Sequence, residues 1–209
     1  MLSGKRILVL APHTDDGELG CGGTIHKLLS DNEVYYAAFS SCQHSVPDGF
    51  AADVLVKEMN AATRILGIKN ENLFLFDYEV RTFSSRRQEI LDELIKIKKD
   101  ISPHLVFMPS KSDVHQDHFV ITNEGIRAFK SSSILCYELP WNNFSLTTSC
   151  FVSLTEEYVQ AKCEAIAAYH SQRTRPYADQ EFIQSLAKVR GVQAGSKYAE
   201  AFDVIRWFI

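Results

Sequence analysis

A short polar segment directly follows the first apolar run of the chain and carries side chains that bind metals and accept protons. The apolar run is Ile7–Leu10, and the segment contains His13, Asp15 and Asp16. In an open α/β sheet, ligands bind where the carboxyl ends of the strands turn into helices. We therefore expect His13 and Asp16 to point at one site with Asp15 close by. Taken alone, the segment is equally typical of a helix start that an aspartate caps.

A second polar segment follows another apolar run, Leu105–Met108, and contains His115, Asp117 and His118. One of its histidines, together with His13 and Asp16, would supply two nitrogens and one carboxylate oxygen. Such a three-ligand set leaves coordination positions open for water and substrate, whereas structural zinc sites use four ligands. The five cysteines show no C-x-x-C spacing. The sequence thus predicts a catalytic zinc site, although the same ligands suit iron(II) or another divalent transition metal.

Three glycines, Gly20, Gly22 and Gly23, follow the first polar segment. We expect them to let the backbone turn sharply and pack against the sheet. They do not form a dinucleotide fingerprint, because Ile25 occupies the position of the last glycine in G-x-G-x-x-G. No Lys-Ser/Thr pair follows them either, so the sequence excludes a Walker phosphate-binding loop.

Taken together, the two segments resemble the LmbE-like, or PIG-L-like, family of metal-dependent N-deacetylases. The resemblance rests on Pro12–Asp16, on the glycines up to Thr24, and on His115–His118. The family pattern is usually His-Pro-Asp-Asp, so Thr14 is a departure. It alters the rigidity of the turn but removes no metal ligand.

The resemblance implies a role for each of the reactive side chains. It makes His13, Asp16 and His118 the metal ligands, and Asp15 the general base that takes a proton from water. His115 would either stabilise the oxyanion or protonate the leaving amine.

Further from the metal, the resemblance implies that Asp117 orients a histidine. Asp77, Arg81 and Arg175 are candidate substrate-binding residues. The segment Ser40–Ser45 departs from the Thr-x-Gly-Glu turn of many relatives. This departure limits how far the substrates of those relatives can be assigned to this chain. We expect an N-acetylated amino sugar of the N-acetylglucosamine type, or its conjugate. Two alternatives stay open: hydrolysis of a different amide, and a non-catalytic module that binds metal and ligand.

Length and composition set broad limits on the class of protein. The 209 residues are 45% hydrophobic, which suits one substantial core, and we expect a single deacetylase domain over residues 1–209. The net charge of −4 argues against nucleic acid or an anionic membrane surface as the main partner. We expect a small-molecule substrate, with a homo-oligomer as an open alternative. An odd number of cysteines and the absence of a long apolar stretch favour a cytoplasmic protein.

Apolar runs and helical patterns alternate along the chain, which predicts an α/β fold with a mainly parallel, Rossmann-like sheet and helices on both faces. The expected strands are Arg6–Leu10, Glu33–Phe39, Leu73–Phe76, His104–Met108, Ile134–Glu138, Cys150–Ser153 and Val204–Phe208. The expected helices are Thr24–Ser30, Ala51–Leu66, Arg86–Lys99, Asp117–Phe129, Glu156–Ala168 and Asp179–Arg190.

Overall fold

Strands and helices alternate in the computed structural model, which describes residues 2–209. The strands are β1 (Arg6–Ala11), β2 (Glu33–Ala38), β3 (Leu73–Leu75), β4 (Leu105–Pro109), β5 (Ser133–Tyr137), β6 (Cys150–Leu154) and β7 (Tyr198–Arg206). The helices are α1 (Asp16–Leu28), α2 (Val54–Leu66), α3 (Arg87–Ile101), α4 (Gln116–Ala128), α5 (Glu156–Ala167) and α6 (Gln180–Gln193), with short 3-10 turns between them. Among the described residues, no helix is both long and apolar enough to cross a membrane.

All of these strands join one seven-stranded sheet in the order β3-β2-β1-β4-β5-β7-β6. The first five strands are parallel, and β7 runs antiparallel to both β5 and β6. Strand β1 has β2 on one side and β4 on the other. This reversal of strand order opens a crevice at the carboxyl ends of β1 and β4. The two polar segments identified in the sequence leave the sheet at that crevice.

The core lies on both faces of the sheet because the side chains of β1 alternate between them. Ile7 and Val9 pack with the apolar faces of α1, α2, α5 and α6. Leu8 and Leu10 pack on the opposite face with α3 and α4. The mainly parallel α/β fold with helices on both faces, which the sequence predicted, is therefore confirmed. Most predicted elements lie within three residues of the observed ones, but β7 begins six residues earlier than the predicted Val204.

The predicted start of the first helix was wrong. Helix α1 begins at Asp16, so the glycine run lies inside a helix and does not form the expected sharp turn. The glycines are needed there for close packing: a Cβ atom at Gly20 would overlap the ring of Tyr137. Tertiary contacts with the sheet have thus overridden the low helix propensity of glycine.

Helix α1 is kinked at Cys21, whose φ of −147° is not helical. After the kink, the backbone N–H groups of Gly23 and Thr24 donate to a side chain from the sheet. The carboxylate of Glu200 in β7 accepts these two hydrogen bonds at 3.1 and 2.7 Å. Lys162 of α5 pairs with the same buried carboxylate at 2.7 Å. This arrangement fixes the part of α1 that follows the kink to β7 and α5.

Candidate active site

Three donor atoms form a compact triangle at the crevice between β1 and β4. Nδ1 of His13 lies 3.1 Å from Oδ2 of Asp16, and this oxygen lies 3.2 Å from Nε2 of His118. The two ring nitrogens are 3.2 Å apart. The ligands of a tetrahedral zinc ion at about 2.1 Å lie about 3.4 Å from one another. The triangle therefore fits a divalent transition metal with little movement of the side chains.

The outer nitrogen of each imidazole in the triangle contacts a carboxylate. Nε2 of His13 lies 3.1 Å from Oδ2 of Asp117, and Nδ1 of His118 lies 2.7 Å from Oδ2 of Asp113. Such partners fix the orientation of a ligating histidine, so the inner nitrogens point to the place where a cation would bind. The structure thus places Asp117 beside His13.

Asp113 is a site residue that the sequence analysis missed. It is buried at the end of the β4–α4 turn, where its second carboxylate oxygen accepts the backbone N–H of His115 at 2.8 Å. An aspartate that bonds the backbone two residues on forms an Asx turn. The spacing Asp-x-His before α4 was the available signal.

The three charged groups of the triangle shift one another's pKa values. Burial, the largest single effect, lowers the pKa of His13 and of His118. The neighbouring carboxylates together outweigh burial, Asp16 and Asp117 for His13 and Asp16 and Asp113 for His118, and they raise the two pKa values to about 9 and about 10. Burial raises the pKa of Asp16, and the two imidazoles more than reverse this and hold it well below its usual range. Two protons thus stabilise the site in the absence of a metal. A bound dication would take their place.

Asp15 lies beside the triangle and faces the cavity. It occupies the N-cap position of α1, yet its side chain makes no capping hydrogen bond. Burial, followed by the negative charge of Asp16, raises its pKa to about 6. A carboxylate with this pKa is ionised at neutral pH and can both take and return a proton, which suits a general base.

His115 is held as a neutral hydrogen-bond donor. Its Nδ1 accepts the backbone N–H of Asp117 at 3.2 Å, so the proton of the neutral ring lies on Nε2. Burial, followed by the nearby His118 and His13, lowers its pKa to about 4. A ring nitrogen of His115 also lies within 4.8 Å of those of His13 and His118, which makes a looser alternative ligand set. We favour the triangle with Asp16 as the metal site, because its donor atoms lie only 3.1–3.2 Å from one another.

These five side chains form the floor of a cavity of about 330 Å³. We use "floor" for His13, Asp15, Asp16, His115 and His118. The walls above them come from loops, and we use "rim" for Arg81, Trp141, Arg175, Tyr177 and the segment 41–45, of which Cys42 and Ser45 line the cavity. The ring of Trp141 stacks on that of Tyr177, with the centroids 3.8 Å apart.

The candidate substrate-binding residues fall into two groups. Arg81 and Arg175 line the cavity. Asp77 does not, because it lies in a smaller neighbouring cavity that shares Cys42 and Val80 with the first. There its carboxylate accepts hydrogen bonds from Ser41 and, at 3.2 Å, from Gln43.

A buried carboxyl group supports the turn from behind. Glu18 contacts the hydroxyls of Tyr36 and, at 2.9 Å, Tyr169, and burial raises its pKa to about 8. The same hydroxyls lie 3.2 and 2.6 Å from the carbonyl oxygen of Thr14. The backbone between His13 and Asp15 is therefore held by two tyrosines, one from β2 and one from the end of α5.

Comparison with protein families gives a match over both polar segments. The model for "PIG-L: GlcNAc-PI de-N-acetylase" matches residues 8–129, more than half of the chain. The match begins in β1 and ends just after α4. It therefore includes the whole floor and leaves Arg175, Trp141 and Tyr177 of the rim outside.

Individual relatives match over most of the chain. An uncharacterized deacetylase, YaiS, of Escherichia coli K12 is 29% identical over 172 residues, which are 80% of this chain and 91% of YaiS. The diacetylchitobiose deacetylase of Thermococcus kodakarensis is 23% identical, over 96% of this chain and 83% of its own. The crystal structure of the conserved protein TT1542 from Thermus thermophilus superposes with a TM-score of 0.82 at 22% identity, over 98% of this chain and 96% of that one.

Proposed function

The chain belongs to the PIG-L family, whose match spans the whole floor of the cavity, and from this we propose that it is a metal-dependent deacetylase. The substrate is an N-acetylated amino sugar of the N-acetylglucosamine type, or its conjugate. The triangle of His13, Asp16 and His118 is the observation that carries the proposal, because it supplies an open ligand set beside an ionisable carboxylate. The name of the Thermococcus relative supports the substrate class.

We assign the metal to the triangle. His13 would bind through Nδ1, His118 through Nε2 and Asp16 through Oδ2, with Asp117 and Asp113 behind the two rings. A divalent cation bound there supplies a Lewis acid that polarises the acetamide carbonyl and lowers the pKa of a water to about 7. Zinc suits this donor set, and iron(II) is the alternative.

Asp15 and His115 then perform the proton and charge chemistry. Asp15 takes a proton from the attacking water while the oxygen of that water bonds to the carbonyl carbon of the acetyl group. The N–H at Nε2 of His115 donates to the carbonyl oxygen as negative charge develops there, because a neutral imidazole is a hydrogen-bond donor with its proton already on that atom. The C–N bond breaks when Asp15 passes its proton to the nitrogen. The products are acetate and a free amine.

Of the two roles that the resemblance left open for His115, its surroundings support oxyanion stabilisation. An imidazolium needs protons on both nitrogens, and a protonated Nδ1 would lose its bond from the N–H of Asp117. The lowered pKa of His115 agrees with this argument. The proton on the leaving amine is therefore assigned to Asp15. We also propose that the protein is cytoplasmic, as its composition led us to expect.

The test combines metal analysis of the purified protein with acetate release from a panel of N-acetylated sugars. We expect about one divalent ion per chain and equal amounts of acetate and amine. Release of the amine with a different acid would instead establish hydrolysis of another amide. A fully loaded site without turnover on any substrate would overturn the proposal in favour of a binding module.

A further inference from the structure

A glutamine side chain lines the cavity above the floor, and nothing in the proposed reaction uses it. Gln172 is the last residue of the short 3-10 turn His170–Gln172, which follows α5. Only 8% of Gln172 is exposed, and it belongs to the lining of the cavity. It lies beyond the residues 8–129 that the family model matches. A buried amide of this kind needs hydrogen-bond partners for both its oxygen and its nitrogen.

The orientation of this amide follows from a chain of hydrogen bonds that begins at the buried Glu58 of α2. The carboxylate of Glu58 accepts the backbone N–H of Ser171 at 2.9 Å and the hydroxyl of Ser171 at 2.5 Å. This hydroxyl has then given its only proton, so its oxygen can only accept from Gln172. The group of Gln172 that contacts it must therefore be the NH₂, and Nε2 does lie there, at 3.1 Å.

The carbonyl oxygen of the amide, Oε1 of Gln172, is the end that does not contact Ser171. Within residues 2–209 no donor contacts this atom, and the one fully enclosed side-chain atom without a partner is Oγ1 of Thr24. Oε1 of Gln172 therefore reaches solvent, and the space that Gln172 lines is the cavity. An acceptor of fixed orientation is thus presented to a molecule that fills the cavity.

The turn that carries Gln172 is also tied to the floor. The hydroxyl of Tyr169 lies 2.6 Å from the carbonyl oxygen of Thr14, which stands between His13 and Asp15. The backbone N–H of Gln172 donates to the carbonyl of Tyr169 at 3.0 Å. Buried contacts thus set the position of the amide relative to the floor. A side chain that is held in place before a ligand arrives loses little conformational entropy on binding.

Resting on the proposed function, we infer that Gln172 is a specificity-determining residue, whose Oε1 accepts a hydrogen bond from one hydroxyl of the N-acetylated sugar while the acetamide occupies the floor. Glu58 and Ser171 act through Gln172 and are positioning residues, because they fix which end of the amide faces the cavity. A hydroxyl suits Oε1, since a carbonyl oxygen takes donors only. A sugar without that hydroxyl would leave a buried acceptor unpaired, and hydrogen bonds discriminate most strongly in this situation.

The experiment combines a change in the protein with matching changes in the substrate of the metal-loaded full chain. The probes are methyl N-acetylglucosaminide and its 3-deoxy, 4-deoxy and 6-deoxy analogues. We expect wild-type kcat/KM to fall about tenfold for one deoxy analogue, through KM, because the bond forms equally in the ground state and the transition state. Gln172→Met should lose about as much on the parent sugar. On that one analogue it should lose less than about twofold more, because the two changes remove the same contact.

A matched glutamine serves as the control. Gln180 is exposed in α6 and does not line the cavity, so Gln180→Met should keep the wild-type values for all four probes. Ser171→Ala should raise KM for the parent sugar by a smaller factor, about two- to fivefold, because it releases the amide without removing it. A wild-type KM in Ser171→Ala would refute the positioning role of Ser171 and Glu58. Metal content is measured for each variant and shows that the floor has formed.

Calorimetry with methyl glucosaminide and its deoxy analogues measures the same coupling without turnover. Losses that multiply for every deoxy analogue would overturn the inference, as would a Gln172→Met variant that loses kcat alone. Acetate release in which no hydroxyl depends on Gln172 would leave the proposed function standing and refute only this inference. Absence of acetate release from every probe, with the coupling preserved in calorimetry, would refute the proposed function and support the role of Gln172.

Discussion

The floor and the rim of the cavity are built in opposite ways. On the floor, each imidazole of the triangle has its own buried carboxylate, Asp117 for His13 and Asp113 for His118. On the rim, Arg81 and Arg175 are exposed and extend from loops. The floor comes from the ends of two adjacent parallel strands, so its geometry is set by the sheet. From this comparison we expect the chemistry to depend on the core and the choice of substrate to depend on the loops.

The largest expected effect separates the two adjacent aspartates of the floor. Asp15→Asn should keep its metal but lose turnover by about 10²–10⁴-fold, because an amide can hydrogen-bond water and cannot take its proton. Asp16→Asn should weaken metal binding, since the triangle loses its carboxylate. Bound metal is measured after dialysis, and turnover is measured at saturating metal. Loss of metal from Asp15→Asn would make Asp15 a ligand and contradict the assignment.

A second large effect is expected at His115. His115→Ala should reduce kcat by about 10²–10³-fold, as loss of an oxyanion donor does elsewhere. His115→Gln keeps an N–H donor and should recover part of that loss. Because the pKa of His115 is lowered to about 4, its titration should not set the alkaline limb of the pH profile. An alkaline limb that disappears in His115→Gln would return this residue to the role of general acid.

Much of this arrangement was predictable from the sequence, because both polar segments directly follow buried apolar runs. Runs of that kind predict parallel strands, and parallel strands place their carboxyl ends together. The helical state of the glycine run was not predictable in this way, since it depends on Tyr137 packing against Gly20. The neutral state of His115 depends on its bond from the N–H of Asp117 and on neighbouring imidazoles. Such properties arise from contacts distant in the chain or from the conformation of a turn.

The next prediction compares two buried carboxylates, of which Asp117 contacts both the floor and the rim. Asp113 contacts His118 and the backbone of His115, whereas Asp117 contacts His13 on the floor and the N–H of Arg81 on the rim. Asp113→Asn and Asp117→Asn should each weaken metal binding by about 10–100-fold. In addition, Asp117→Asn should raise KM for the preferred sugar, because Asp117 also holds the backbone of Arg81 on the rim.

Asp92→Ala, on the exposed side of α3, is the control and should change neither property. Metal affinity is measured by competition with a chelator, and KM is measured by steady-state kinetics at saturating metal. An unchanged KM in Asp117→Asn would show that the floor and the rim act independently.

Metal loading should release protons from the floor. The pKa values of His13 and His118 are raised to about 9 and about 10 in the metal-free site, so both rings are protonated at pH 7. Ligands must lose these protons, and the apparent metal affinity should therefore rise with pH between about 6 and 9, by up to about tenfold per unit for each proton. Calorimetry in buffers of different ionisation enthalpy counts the protons. His115→Gln should leave that number unchanged, because His115 is already neutral; a lower number would place it among the groups that the metal deprotonates.

The smallest effect is expected at Asp77, which supports the rim without lining the main cavity. Its carboxylate holds Ser41 and Gln43, and these residues flank Cys42 in the cavity wall. Asp77→Ala should loosen this segment and raise KM a few-fold, with metal content unchanged, because exposed hydrogen bonds contribute only about 0.5–1.5 kcal/mol. Glu79→Ala is the matched control, since Glu79 is exposed in the same loop and makes no side-chain hydrogen bond within the described residues. Steady-state kinetics on the preferred sugar give the comparison. A fall in kcat of the size expected for Asp15→Asn would mean that Asp77 contacts the reacting group, and the division between floor and rim would then be wrong at this position.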